Sequence, residues 1–70
     1  MSISRDFGRN VRRAREARNL SQEQLADLAS IHRTYLSGVE TGTRNPTLEI
    51  VERLARALGV GASELLEGRA

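Results

Sequence analysis

Apolar side chains recur every three or four residues along most of the chain, with polar residues between them. In the first stretch, Phe7, Val11 and Ala14 share one face of a helix. We place this helix at about residues 4–18, with Ser4 as its N-cap. The next two residues break the spacing, so the helix is expected to end there.

A second helix is predicted from Ser21 to about Ala29. Gln24 stands three residues after Ser21, which is the spacing of a capping box, in which each side chain bonds the other residue's backbone N–H. A turn over residues 30–32 follows, with Ile31 directed inward. The residues of this helix expected to face inward are Leu25, Ala26, Leu28 and Ala29.

Helix 3 is predicted at about residues 33–40, and Gly42 is a natural left-handed stop after it. The segment TGTRNP is a loop by composition. Helix 4 opens at Pro46 with Thr47 as N-cap and ends at Gly59. Its apolar stripe consists of Leu48, Val51, Leu54, Ala55 and Leu58.

A short fifth helix at about residues 62–67 completes the pattern, with Leu65 and Leu66 as its apolar positions. The chain shows no internal repeat and no strand-like alternation of apolar and polar residues. The fold class expected from the pattern is therefore all-α.

The two sides of helix 3 differ in chemistry when its residues are placed at ~100° intervals around the axis. Leu36 and Val39 lie on one side. Glu40 is the one acid near the other side, at its edge. That other side carries Arg33, Thr34, Ser37, Gly38 and Thr41. A solvated face would normally carry glutamate and lysine, so this composition suits a surface that meets phosphates and base edges.

Seventy residues allow one domain, which we place at residues 1–70. The net charge is +2, but residues 1–18 hold six arginines against two acids, whereas the rest of the chain holds five against seven. This asymmetry suits an anionic partner on one side, or a basic helix face exposed to solvent. A chain this short has a small core, so oligomerisation is a common source of added stability.

Several function classes are disfavoured by composition. The chain has no cysteine and a single histidine, so we expect no metal site, no cofactor and no nucleophilic enzyme. Glu49 and Glu52 are spaced as a carboxylate pair, but a solvated helix face explains them better. We find no apolar stretch long enough for a membrane span and no signal-peptide core, so a cytoplasmic protein with no membrane partner is expected.

The region from about residue 21 to residue 41 carries a family resemblance. Counted from Gln22, aliphatic or small residues fall at the fourth, fifth, eighth, tenth, fifteenth and eighteenth positions: Leu25, Ala26, Ala29, Ile31, Leu36 and Val39. This pattern resembles the helix-turn-helix domains of lambda-repressor-like, Cro-type (XRE) transcriptional regulators. The resemblance extends over about residues 5–67 and implies a compact five-helix DNA-binding domain with the helix-turn-helix at helices 2 and 3.

Two positions depart from the family pattern. At the position of Ser30, the family usually has a glycine in a left-handed conformation. A residue other than glycine in that conformation costs on the order of 1 kcal/mol. His32 stands where a serine or threonine usually caps helix 3. It is either a surface residue of the turn or a phosphate contact at the edge of the groove.

Base contacts are predicted for Arg33, Thr34 and Ser37, because arginine can bond guanine O6 and N7 together and hydroxyl residues can bond or pack in the groove. Tyr35 has two interpretations, a core residue or a phosphate contact. Gly38 either permits close approach to DNA or is merely tolerated in a short helix. The predicted contacts to the DNA backbone are Gln22, His32, Tyr35, Arg44 and Asn45.

The resemblance also implies a structural ion pair between Arg15 and Glu40 that braces helix 1 against helix 3. We predict a homodimer on a palindromic operator of double-stranded DNA, with RNA polymerase as a further possible partner. The candidate dimer contacts lie at about residues 60–67: Val60, Leu65 and Leu66.

The segment HRTYLS and the following Arg-Asn are similar to the recognition segment of restriction–modification controller proteins, which are small regulators of their own operons. An alternative is an antitoxin or protein-interaction module that uses the same fold.

Overall fold

The computed structural model describes residues 3–67, and within that range it contains five helices and no strand. Residues 1–2 and 68–70 of the predicted domain lie outside the described part. The five-helix, all-α prediction is confirmed. The helices are α1 (Ile3–Ala17), α2 (Gln22–Ala29), α3 (Arg33–Thr41), α4 (Leu48–Leu58) and α5 (Ala62–Leu65).

Helices α2 and α4 begin at the residues that their caps predict. The Ser21 hydroxyl accepts a hydrogen bond from the Gln24 backbone N–H at 3.0 Å, and the Ser21 backbone N–H donates to Gln24 Oε1 at 2.8 Å. The Thr47 hydroxyl accepts from the Ile50 backbone N–H at 3.2 Å. Both helices therefore start where a side chain satisfies a backbone donor that the helix itself leaves free.

Helices α3 and α4 end at glycines in the left-handed region, with φ of 80° at Gly42 and 71° at Gly59. Both stops are confirmed. Helix α2 ends at Ser30, whose φ of 59° and ψ of 47° are also left-handed. The turn of the helix-turn-helix thus forms with serine where glycine would be unstrained, at a cost on the order of 1 kcal/mol.

Helices α1 and α3 cross at close range in the core. A Cβ added at Gly8 would overlap the carbonyl oxygen of Val39, so only glycine allows this approach. Phe7 and Leu36 are buried on either side of the contact. The buried apolar core consists of Phe7, Val11, Leu25, Ala26, Ala29, Leu36, Val39, Val51, Leu54, Ala55, Leu58 and Leu65.

Three expectations about individual residues are wrong. Ser4 is not an N-cap, because α1 already begins at Ile3, and the Ser4 hydroxyl instead donates to the Asn45 side-chain oxygen. Leu28 is 60% exposed because it lies more than ~100° around α2 from the centre of the buried face. Leu48 is 84% exposed. It follows the direction of the α4 stripe, but it lies in the first turn and borders an open groove instead of packing under another helix.

The fifth helix is shorter than predicted, and the two leucines at its end differ in burial. It ends at Leu65, which is 2% exposed and belongs to the core, whereas Leu66 is 39% exposed. The side chain of Leu65 is therefore unavailable as a contact on the protein surface, and its place among the candidate dimer contacts is corrected. Leu66 keeps that place.

Candidate nucleic-acid interface

Helix α3 has one fully buried side and one open side. Leu36 and Val39 are 0% exposed and fix the helix against the core. On the other side, Arg33 and Thr34 are exposed and Ser37 is half-buried. The ion pairs formed among residues 3–67 use arginines other than Arg33. The strip predicted to read base edges is therefore accessible and directed away from the core.

The start of α3 is less fully capped than the start of α2. His32 has the extended N-cap backbone, with φ of −73° and ψ of 142°, but its side chain makes no capping hydrogen bond to the described part of the chain. This agrees with the poor capping expected of histidine. His32 and Arg33 are both exposed at this helix start, where the first backbone N–H groups have no partner within the helix.

Arg15 and Glu40 form the ion pair that the resemblance implies. Arg15 Nε lies 2.7 Å from Glu40 Oε2, and Nη2 lies 3.1 Å from Oε1, so the contact is bidentate. Both side chains are largely buried, with exposed fractions of 11% and 2%. The third Arg15 nitrogen donates to the Leu20 carbonyl at 2.8 Å. One arginine therefore joins α1, the α1–α2 connection and α3.

The hydrogen bond to Glu40 raises the pKa of Arg15 above its ordinary value, although burial acts in the opposite direction. Both the hydrogen bond and the charge of Glu40 favour the protonated guanidinium. On the arginine side, the stabilisation is fully present below the ordinary pKa of arginine and is lost only as pH rises through the raised value. Arg15 therefore stays protonated near neutral pH, and its titration does not make the ion pair depend on pH there.

Gln22 joins this buried network from the first position of α2. Its Nε2 donates to Glu40 Oε1 at 3.0 Å, an interaction that sequence reasoning did not predict. Because a carboxylate only accepts hydrogen bonds, the amide nitrogen of Gln22 must face Glu40. One N–H and the carbonyl oxygen of the Gln22 side chain remain, and the residue is half-buried. Glu40 thus sets the orientation of the Gln22 side chain, which is predicted to contact the DNA backbone.

The loop after α3 places Arg44 over the ring of Tyr35. The Arg44 guanidinium carbon lies 5.8 Å from the ring centroid, within the range of a cation–π interaction. Tyr35 is half-buried and packs against the core. Its ring therefore has a packing role, and its hydroxyl contact to phosphate stays a prediction. Asn45 is exposed and its side-chain oxygen accepts a hydrogen bond from the Ser4 hydroxyl, so its amide N–H groups are not used in this contact.

An exposed apolar groove lies where the N-terminus of α1, the loop after α3 and the start of α4 meet. Ile3 and Leu48 are 71% and 84% exposed at its edges, and Leu66 borders it from the end of α5. Sequence reasoning found Leu66 but missed the other two: it assigned Leu48 to the apolar stripe of helix 4, and Ile3 lies before the predicted start of helix 1. Val60 is half-buried against the core.

No group of three or more potential metal ligands occurs among residues 3–67. Glu49, the carboxylate considered with Glu52, pairs instead with Arg53 at 2.8 Å. The exposed arginines of α1 include Arg12, which pairs with Glu16 at 3.1 Å. None of the helices in that same range is long and apolar enough to cross a membrane.

Comparison with known proteins agrees with this geometry. A family model described as helix-turn-helix (HTH_3) matches residues 11–65. The control protein C.BamHI of Bacillus amyloliquefaciens is 47% identical over 62 residues, which cover 87% of this chain and 76% of that protein. The control protein C.SmaI of Serratia marcescens is 46% identical over 66 residues, covering 94% and 79%.

A solved structure shows the same likeness. The crystal structure of the restriction-modification controller protein C.AhdI from Aeromonas hydrophila superposes with a TM-score of 0.86 at 44% identity, over 89% of this chain and 94% of that one. Sequence and structure therefore agree on the relatives of this protein. The chain belongs to the XRE-type helix-turn-helix family of transcriptional regulators that bind double-stranded DNA, which is not a family of enzymes.

Proposed function

We propose that this protein binds a palindromic operator as a homodimer and controls transcription in the manner of a restriction–modification controller protein. The observation that carries the proposal is the open side of α3, where Arg33 and Thr34 are exposed above the buried Leu36 and Val39. A helix so anchored can lie in the major groove, with residues near its N-terminus at the base edges. The relatives described above favour this function over the antitoxin alternative.

Base contacts and backbone contacts have separate roles in this proposal. Arg33, Thr34 and Ser37 read base edges, and Arg33 is suited to a guanine because its guanidinium can bond O6 and N7 together. The backbone contacts hold the helix in register without reading sequence. They come from the start of α2, the start of α3 and the loop after α3: Gln22, His32, Tyr35, Arg44 and Asn45.

The apolar groove supports the dimer. Three of the four large exposed apolar side chains of residues 3–67 border it, namely Ile3, Leu48 and Leu66. Asn45 also lines the groove, so a two-fold axis through it would bring two DNA-facing loops close together. A second copy of this chain would bury the same patch on both partners, as a two-fold interface requires. The two recognition helices would then meet major grooves ~34–36 Å apart.

Regulation would follow from where the operator lies. A dimer bound over a promoter blocks RNA polymerase, and a dimer bound beside it can recruit the polymerase. RNA polymerase is therefore the second partner we propose, with the sign of regulation decided by the DNA.

Selection of bound fragments from random duplex DNA tests the operator proposal. We expect an inverted repeat with one conserved guanine in each half-site and half-site centres about one helical turn apart. A recovered pool with no preferred sequence, or with single unpaired half-sites, would contradict the proposal.

The dimer is tested by Leu48→Asp, with Leu28→Asp as the matched control. Both leucines are exposed, but Leu28 borders a different cleft, between α2 and α4. Leu48→Asp should raise the dimer dissociation constant by more than about tenfold in sedimentation equilibrium, because each copy loses ~1.5 kcal/mol or more of apolar burial. The control should dimerise normally. Loss of the dimer in the control alone would place the interface at the other cleft.

A further inference from the structure

We propose that Gly38 is a positioning residue for Arg44: the missing side chain of Gly38 leaves a notch in α3 that holds the Arg44 stem and so directs its guanidinium toward DNA. The inference rests on the proposed backbone contact of Arg44. It replaces both sequence-based interpretations of Gly38, namely close approach to DNA and simple tolerance.

The notch is occupied by the protein itself. A Cβ added at Gly38 would overlap Arg44 Cγ, and it would lie 3.4 Å from Thr43 Oγ1 and 3.5 Å from Arg44 Cβ. Only the first of these contacts is prohibitive. Any residue larger than glycine therefore forces the Arg44 side chain to rotate, whereas Arg44 Cβ and Thr43 Oγ1 need barely move.

The backbone of the loop cannot easily move instead. The Gly38 carbonyl accepts hydrogen bonds from the backbone N–H groups of Thr43 at 2.9 Å and Arg44 at 3.2 Å. The hydroxyl oxygens of Thr41 and Thr43 also lie within 3.2 Å of this carbonyl oxygen. The main chain of residues 41–44 is thus tied to the same residue whose Cα opens the notch. A side chain at position 38 would be relieved most cheaply by rotating Arg44.

The ring of Tyr35 completes the arrangement. The Arg44 guanidinium lies over it at 5.8 Å, so the stem rests in the notch and the head rests on the ring. An arginine held at two points along its length loses less side-chain entropy when it meets a phosphate. Gly38, a costly residue in a helix interior, is in this way linked to an electrostatic contact that it does not make itself.

A double-mutant cycle with Gly38→Ala and Arg44→Ala tests the inference by DNA affinity as a function of salt. Each single variant should weaken binding to all sequences and lower the salt slope by about one. The double variant should bind within about twofold of Arg44→Ala, because alanine at position 44 has no Cγ for the new methyl group to meet. Additive losses would overturn the inference, because they would mean that position 38 meets DNA directly. An unchanged slope in Gly38→Ala would also overturn it.

The same cycle separates this inference from the function proposed above. If Arg44→Ala kept the full salt slope, the backbone contact of Arg44 would be refuted, and the role of Gly38 with it. If Arg44→Ala lowered the salt slope while Gly38→Ala left it unchanged, only the role of Gly38 would be refuted.

A second measurement needs no DNA. In the unmodified protein, the ring current of Tyr35 should shift the side-chain proton resonances of Arg44, and Gly38→Ala should return them toward random-coil values. Glu52→Ala is the control, since Glu52 is exposed on α4, eight residues after Arg44. Arg44 resonances that stay unchanged in Gly38→Ala would overturn the inference, whatever the DNA affinity.

Discussion

The inner and outer sides of α3 are opposites in how their polar groups are satisfied. On the inner side, the Glu40 side chain is 2% exposed and its carboxylate accepts three hydrogen bonds, from Arg15 and Gln22. On the outer side, Arg33 and Thr34 are exposed and directed at solvent. This difference shows how a short helix can present exposed polar groups in a fixed orientation. The buried contacts on its inner side hold the helix in place.

The largest expected effect comes from breaking the inner side with Glu40→Ala. This change leaves the Arg15 guanidinium buried without its anion, so the free energy of unfolding should fall by ~3–5 kcal/mol. Urea denaturation followed by circular dichroism measures the loss. DNA binding should fall with it, since the position of α3 depends on the same contact.

The exposed pair Arg12–Glu16 provides the control for Glu40→Ala. Its side chains are 64% and 55% exposed, so Glu16→Ala should change the free energy of unfolding by less than about 1 kcal/mol. Similar losses in the two variants would show that burial does not distinguish the pairs, and the bracing role of Glu40 would be wrong.

The outer side is broken by Arg33→Ala, with an effect of intermediate size. The stability of the protein should stay unchanged, because Arg33 is exposed and lies outside the ion pairs formed among residues 3–67. Affinity for the selected operator should fall by ~1–3 kcal/mol, and preference at one base pair should relax. Binding titrations on the operator and on single-base variants measure this. An equal loss on operator and random DNA would contradict the base-reading role.

Gln22 bonds the buried Glu40 and is also predicted to contact the DNA backbone. Gln22→Ala should therefore give the smallest effect, divided between stability and DNA binding. It removes one hydrogen bond to Glu40, and the free energy of unfolding should fall by ~1 kcal/mol. Binding should weaken on all sequences while the salt slope stays the same, because the amide is neutral and releases no counterion. A slope that falls as in Arg44→Ala would show that Gln22 acts only by placing charged residues.

Much of the local structure could be predicted from residue types. Ser21, Thr47, Gly42 and Gly59 mark helix ends by the hydrogen bonds or the left-handed backbone that they allow, and such effects act within a few residues. The left-handed Ser30 could also be predicted, from the family pattern. The ion pair of Arg15 with Glu40 was available only through that resemblance, since 25 positions separate the two residues.

What the sequence by itself determined is therefore the order of the helices, the helix ends marked by a cap or a glycine, and most of each apolar side, because these depend on short-range periodicity and capping; the family followed from the motif. Only the tertiary structure decided what stands opposite each side chain. Leu48 follows the apolar stripe of α4 yet is 84% exposed, and Gly38 faces an arginine six residues away. Periodicity gives the direction in which a side chain points, whereas its neighbours depend on how the helices pack and where the loops return.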